Sequence, residues 1–165
     1  MPSGLRVRSA PTADLSPADL AQLRRLLDGA FPGRFSDEDW GHALGGVHVL
    51  ADVAGAQGQV AGYVEAVATA APWRRQGVGS AVLAEVERLV DGGFELGALS
   101  ASQDGVALYT ARGWTPWPGP TGALTPAGVV PTEGEVVHVR RTPATPAELD
   151  PGARLLADWR RGDLW

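Results

Sequence analysis

The chain has 165 residues, of which 44% are apolar and 20% charged, a formal net charge of −5, and no cysteine. That length is enough for one domain with a real core, and the missing cysteines exclude a disulfide framework, thiolate metal sites and a cysteine nucleophile. The acidic balance argues against a general nucleic-acid binder and suits a cationic substrate. No apolar run approaches a membrane span and the N-terminus shows no signal-peptide h-region, so a cytoplasmic protein without a membrane partner is expected.

Leu5-Arg6-Val7-Arg8 alternates apolar and polar and predicts a short strand. Ser16-Pro17-Ala18-Asp19 is a helix start, with a cap, a proline in the first turn and an acid against the dipole. Leu20, Leu23, Leu26 and Leu27 form its apolar face, and Gly29 is the expected stop. Ser36 and Asp39 cap a second, short helix through Trp40, Ala43 and Leu44. Val47 to Val53 predicts a strand, and Gln59 to Ala70 a longer one carrying Glu65. A helix over Ser80 to Asp91 buries Val82, Leu83, Val86, Leu89 and Val90. Phe94 to Ser100 is a strand, Asp104 to Arg112 a helix closed by Gly113, and Trp114 and Trp117 fall in a proline-rich loop. Glu135 to Arg141 is the last clear strand, and Thr145-Pro146-Ala147-Glu148 has the form of a further capping box.

Between the long strand and the helix at Ser80 lies Trp73-Arg74-Arg75-Gln76-Gly77-Val78-Gly79. A strand, a basic glycine loop and a helix start make an anion site. Glycines let the backbone approach closely, the first helical amides are unpaired, and arginines add charge-assisted hydrogen bonds. A Walker A loop needs a lysine that this loop lacks, and the dinucleotide fingerprint fails at Val82. The spacing Arg74-x-x-Gly77-x-Gly79 resembles the acyl-CoA pyrophosphate loop of the GCN5-related N-acetyltransferase superfamily.

A narrower resemblance rests on blocks along most of the chain. They are Asp39-Trp40 with Leu44-Gly45-Gly46, Gly62-Tyr63-Val64-Glu65-Ala66-Val67 and Leu96-Gly97-Ala98-Leu99-Ser100. Leu108-Tyr109 with Arg112-Gly113-Trp114, Trp117 with Gly119-Pro120, and the ending Asp158-Trp159-Arg160-x-Gly162-Asp163-x-Trp165 complete the set. Together these resemble the aminoglycoside 2'-N-acetyltransferases. The resemblance implies a single acyl-CoA N-acyltransferase domain over residues 1–165, an α/β (α+β) fold whose mixed central sheet is flanked by helices. It implies acetyl transfer from acetyl-CoA to the 2'-amine of an aminoglycoside, a small cationic substrate, without a metal, and it allows a homodimer.

By the same resemblance Glu65 is the base, Tyr109 the acid and Ser100 a supporting residue. Val67 and Thr69 bond the pantetheine arm through their backbone. Arg74, Arg75, Gln76, Gly77, Val78 and Gly79 hold the pyrophosphate. Asp163, the terminal carboxylate of Trp165, and Glu133 hold the cationic acceptor. Chemistry agrees that an attacking amine must be neutral and needs a base. A phenol near ~10 could protonate a thiolate whose acid is near ~8.5 without a large shift. On spacing alone, Glu65 also reads as a salt-bridged strand acid, Tyr109 as a core tyrosine, and the tail as a docking segment anchored by aromatic burial. His42, His48 and His138 lack metal-ligand spacing and read as structural or surface residues.

Two departures from the family pattern stand out. Arg34 occupies the position before Phe35 where the family carries an acid, and the interval from Gly46 to Gly62 is short by about one strand and its turn. They keep two alternatives open, an acetyltransferase for a different small amine and a non-catalytic module that binds acyl-CoA or an aminoglycoside.

Overall fold

The computed structural model describes residues 1–53, 59–62, 66–132, 134 and 136–161. The chain forms two compact units, Met1–Leu89 and Val90–Trp165.

In the first unit, β1 (Leu5–Pro11), β2 (Val47–Val53) and β3 (Gln59–Gly62) form an antiparallel sheet in that order. Leu5 faces Val53 and Pro11 faces Val47, while Val49 faces Gly62 and Asp52 faces Gln59. Between β1 and β2 lie α1 (Pro17–Ala30) and α2 (Asp37–Ala43). Both helices start as expected. The Ser16 and Ser36 hydroxyls accept from the Asp19 and Asp39 amides, and each aspartate accepts in return from the backbone N–H of its serine. Gly29 does not stop α1, which runs to Ala30; Pro32 bars further helix, and Phe31 caps the last turn on the Leu27 carbonyl. The α1 stripe buries Leu23 and Leu27, one turn apart. Leu23 packs with Ala10, Leu15 and Leu50. Leu27 packs with Ala66 and Ala68, against which Ala30, Phe31 and Phe35 lie. Truncating either leucine to alanine would cost about 2–5 kcal/mol.

The strand expected from Gln59 to Ala70 is not continuous. β3 spans Gln59–Gly62, and from Ala66 to Ala70 the described residues show only an isolated bridge, at Val67. The partner explains this. β2 has two residues left beyond Val49, whereas Ala66 lies four past Gly62, so this part of the chain has outrun β2. The short interval leaves β2 and β3 as a hairpin on β1.

α3 (Val78–Gly93) begins two residues earlier than expected, its Ala81 amide bonding the Gly77 carbonyl at 3.0 Å. It buries Val78, Val82, Leu83, Val86 and Val90, and Leu89 is half-buried.

In the second unit, β4 (Leu96–Ser100), β8 (Val137–Arg141) and β5 (Thr115–Pro116) form an antiparallel sheet in the order β4-β8-β5. Phe94 is not in the strand, because its amide continues the helical pattern to Val90 and its ring is exposed. Arg140 of β8 grips Asp91 near the end of α3 through two bonds, 2.9 and 2.7 Å, which hold that carboxyl below its ordinary range. α4 (Gln103–Ala111) ends at Gly113, whose φ of +85° suits glycine. Trp114 lies in the connection between α4 and β5, as expected, and is fully buried.

The proline-rich segment holds structure its composition hid. β6 (Thr121–Thr125) and β7 (Gly128–Pro131) make a hairpin, and β9 (Leu155–Asp158) joins β6 in parallel, giving a mixed sheet ordered β7-β6-β9. The capping box expected at Thr145 starts no helix. Its hydroxyl donates to the Glu95 carbonyl and accepts from the Thr142 amide, which leaves it no role as a helix cap.

Candidate active site

The anion loop follows a 3-10 turn at Ala71–Trp73 and is pinned at three points. The Trp73 amide bonds the Ala70 carbonyl at 2.8 Å, Arg74 Nε donates to the Thr69 carbonyl at 3.1 Å, and Gln76 Nε2 donates to the Pro72 carbonyl at 2.8 Å. Gln76 therefore stitches the loop to itself. Gly77 has φ +82°, and Arg75 sits at φ +59°, a left-handed conformation uncommon outside glycine. Because α3 starts at Val78, the amides of Val78 and Gly79 belong to its first turn, where no intrahelical acceptor exists. Arg74 and Arg75 are exposed beside these amides. Helix-start amides without an intrahelical acceptor, the positive end of a helix, a glycine with no Cβ and two guanidiniums are features that suit an anion.

Upstream, burial alternates. Ala66 and Ala68 are buried toward α1, whereas Val67 and Thr69 are half-buried. Among the described residues Val67 carries only an isolated bridge, and no strand ladder runs through residues 66–70. The Thr69 carbonyl already accepts from Arg74.

Ser100 closes β4, opposite Val137 of β8, and is half-buried. Tyr109 is buried on α4 and stands edge-on to Trp114, with centroids 6.2 Å apart and planes at 66°. Gly105, one turn earlier, makes room for it: a Cβ there would meet Tyr109 Cε2 at 3.0 Å. No group among the described residues hydrogen-bonds the Tyr109 hydroxyl. Burial pushes its phenol up to about 12, so the expectation of a small shift does not hold.

Two of the acids at the start of α2 are engaged within the fold. Asp39 is spent on the cap, and Asp37 binds Arg24 NH1 at 2.8 Å. Arg24 also binds Asp28 at 2.8 Å and lies over the rings of Phe35 and Trp40, 5.7 and 6.0 Å from their centroids. Glu38 is exposed, and so is Arg34, which has no ion-pair partner among the described residues. The Arg24 clamp was not anticipated; its signal was the i,i+4 pair with Asp28 next to an aromatic loop.

Glu65, Glu133, Asp163 and Trp165 lie outside the described residues. Trp159, just before the tail's end, is 51% exposed, which does not fit a segment anchored by burial of that ring. Among the described residues no cluster of histidine and acids is placed to hold a metal. His48 is buried, its Nε2 2.7 Å from Thr12 Oγ1, and His138 is buried in β8 with Nδ1 3.2 Å from the Val136 carbonyl. Both are structural in character, as expected.

No family model matches the chain. The chain is 43% identical to an aminoglycoside 2'-N-acetyltransferase of Mycolicibacterium fortuitum over 178 residues, covering 96% of this chain and 91% of the relative. That stretch exceeds the chain's own 165 residues, so the relative carries residues this chain lacks. Among solved structures, the chain is similar to Escherichia coli ElaA, with a TM-score of 0.58 at 16% identity over 83% of this chain and 99% of that one. An acyl-CoA N-acyltransferase of Pseudomonas aeruginosa gives 0.57 at 18% identity over 82% and 99%. A GCN5-related N-acetyltransferase of Rhodopseudomonas palustris gives 0.57 at 14% identity over 86% and 98%. These likenesses show the fold.

Proposed function

The chain belongs to the aminoglycoside 2'-N-acetyltransferase family, and we propose that it transfers the acetyl group of acetyl-CoA to the 2'-amine of an aminoglycoside. The observation that carries this is the 43% identity to a curated 2'-N-acetyltransferase across 96% of the chain. The loop chemistry supports it, since Arg74, Arg75 and the amides of Val78 and Gly79 suit the pyrophosphate of a CoA thioester. The whole chain then works as one N-acetyltransferase domain.

In the reaction the amine nitrogen bonds to the thioester carbonyl carbon and the C–S bond breaks. One proton leaves the amine and the departing thiolate gains one from solvent, so the products are the amide and free CoA thiol. Glu65 is the proton acceptor, directly or through water. Val67 and Thr69 align the pantetheine arm through their backbone. Asp163, Glu133 and the carboxylate of Trp165 counter the charge of the acceptor. Tyr109 serves the sulfur as a hydrogen-bond donor. With a phenol at about 12 and a thiol near ~8.5, full proton transfer runs uphill by about 5 kcal/mol, whereas a donated hydrogen bond needs no transfer. Ser100 supports that side of the chemistry.

Arg34 favours a second reading, the same transfer to a different, less cationic amine, because an exposed guanidinium repels a polycation. The test is thiol release from acetyl-CoA against aminoglycosides and simple monoamines. Turnover on 2'-amino compounds supports the proposal. Turnover confined to other amines moves it to the second reading, and calorimetric binding of both ligands without transfer identifies a non-catalytic module.

A further inference from the structure

The block Trp117-x-Gly119-Pro120 has no part in the chemistry proposed above, yet it joins two sheets of the second unit. The Trp117 amide, just past β5, donates to the Val137 carbonyl at 2.8 Å. Val137 of β8 pairs in turn with Ser100 of β4. Trp117 and Ser100 thus flank Val137 from either side, two strand spacings or about 10 Å apart.

The side chain of Trp117 reaches the other sheet. Its indole Nε1 donates to the Ala153 carbonyl at 3.0 Å, just before β9 begins at Leu155. Asp150 readies that carbonyl. Its Oδ1 accepts the Gly152 amide at 2.8 Å and its own carbonyl accepts the Ala153 amide at 3.2 Å, which closes a turn. Gly119 lies between the indole and this turn. A Cβ there would come 2.8 Å from Trp117 Nε1 and 2.9 Å from the Gly152 carbonyl carbon, and would overlap the Ala153 oxygen. The indole bond therefore closes only over a glycine. The Pro120 carbonyl then accepts the Leu155 amide at 2.9 Å and starts the parallel ladder that runs from Thr121 and Leu155 to Leu124 and Asp158.

The sheet anchored in this way leads to both acids assigned to the acceptor. Thr132, which precedes Glu133, is held on Thr121 by three bonds of 3.2, 3.1 and 2.8 Å. Asp163 follows β9 in the sequence. Resting on the reading that these acids hold the acceptor, we propose that Trp117 is a positioning residue for the acceptor amine. Its indole ties the sheet that leads to Glu133 and Asp163 to the sheet that carries Ser100, and it does so without touching the acceptor.

Hydrogen exchange and calorimetry on the full chain test this, with a 2'-amino aminoglycoside as the acceptor. Trp117→Phe removes the donor and keeps a ring, whereas Gly119→Ala keeps the donor and blocks its approach. Each should speed exchange at the Leu155 amide and raise the acceptor Kd about three- to tenfold, as the loss of one hydrogen bond predicts. The Kd for acetyl-CoA should stay at the wild-type value, which separates lost positioning from lost folding. Asp163→Asn should raise the acceptor Kd in the wild type and much less in Trp117→Phe, because a displaced acid has less to lose. An acceptor Kd that Asp163→Asn leaves unmoved in the wild type defeats the reading of the acids and this inference with it. The positioning role alone is overturned if Asp163→Asn acts but equally in both backgrounds, if exchange at Leu155 or the acceptor Kd ignores Trp117→Phe and Gly119→Ala, or if acetyl-CoA binding falls as far as acceptor binding.

Discussion

Arg74 reaches back from the anion loop to the carbonyl of Thr69, 3.1 Å from its Nε. One side chain thereby fixes the spacing between the extended stretch and the loop. Arg74→Ala should raise the KM for acetyl-CoA about tenfold or more, because a hydrogen bond from a charged group is worth about 1.5–3 kcal/mol. Acceptor binding, followed by calorimetry, should be unchanged. Gly77→Ala should act in the same direction, since alanine is strained at φ +82°.

Tyr109 can be tested apart from its packing. Tyr109→Phe keeps the ring on Trp114 and removes the hydroxyl, so the melting temperature should shift little while kcat falls on the order of 10- to 100-fold. Ultraviolet titration of the wild type should show one phenol ionising at about 12. A folded pKa above the ordinary 10 means that the stability contributed is complete below pH 10 and is lost as the pH rises through about 12.

Arg34 should control affinity without touching the chemistry. Arg34→Asp replaces an exposed cation by an acid, and should lower the KM for a polycationic aminoglycoside several-fold with kcat unchanged. Exposed charges at close range are worth about 1 kcal/mol each. An unchanged KM would remove Arg34 as a determinant of the acceptor.

His48 sets an acid limit on stability. Burial holds its pKa below the ordinary 6.5, so the unfolded chain binds its proton first. The sign follows: stability is complete above pH 6.5 and falls as the pH drops from there through the folded value. Melting temperatures measured from neutral to mildly acidic pH should decline on the acid side, and His48→Gln should flatten that decline.

The legible parts of this chain were those with a local code. Ser16 with Asp19 and Ser36 with Asp39 announced both early helices, because a capping box is satisfied within four residues. The anion loop was legible for the same reason, although α3 opens at Val78 and so brings its free amides closer to the glycines than Ser80 would have. What depends on a distant partner was not legible. The stretch after Gly62 was expected to remain a strand, but β2 ends before Ala66 can be paired. The β6–β7 hairpin and β9 were hidden by prolines and glycines that in fact sit at turns and strand ends, as Pro131 and Gly128 do. Thr145 failed as a cap because Glu95, fifty residues away, takes its hydroxyl. The cap that engages Asp39 was visible in the sequence, but the engagement of Asp37 by Arg24 was not.

In the proposed reaction Glu65 carries the central chemical step, on the 2'-amine of the acceptor. The most direct test pairs two aminoglycosides that differ only at the 2' position, amine in one and hydroxyl in the other, with acetyl-CoA and thiol release as the readout. The account predicts turnover on the amine alone, a singly acetylated product, and loss of most of that turnover in Glu65→Gln with CoA affinity retained. Equal turnover on both compounds, or a Glu65→Gln variant as fast as the wild type, would contradict it.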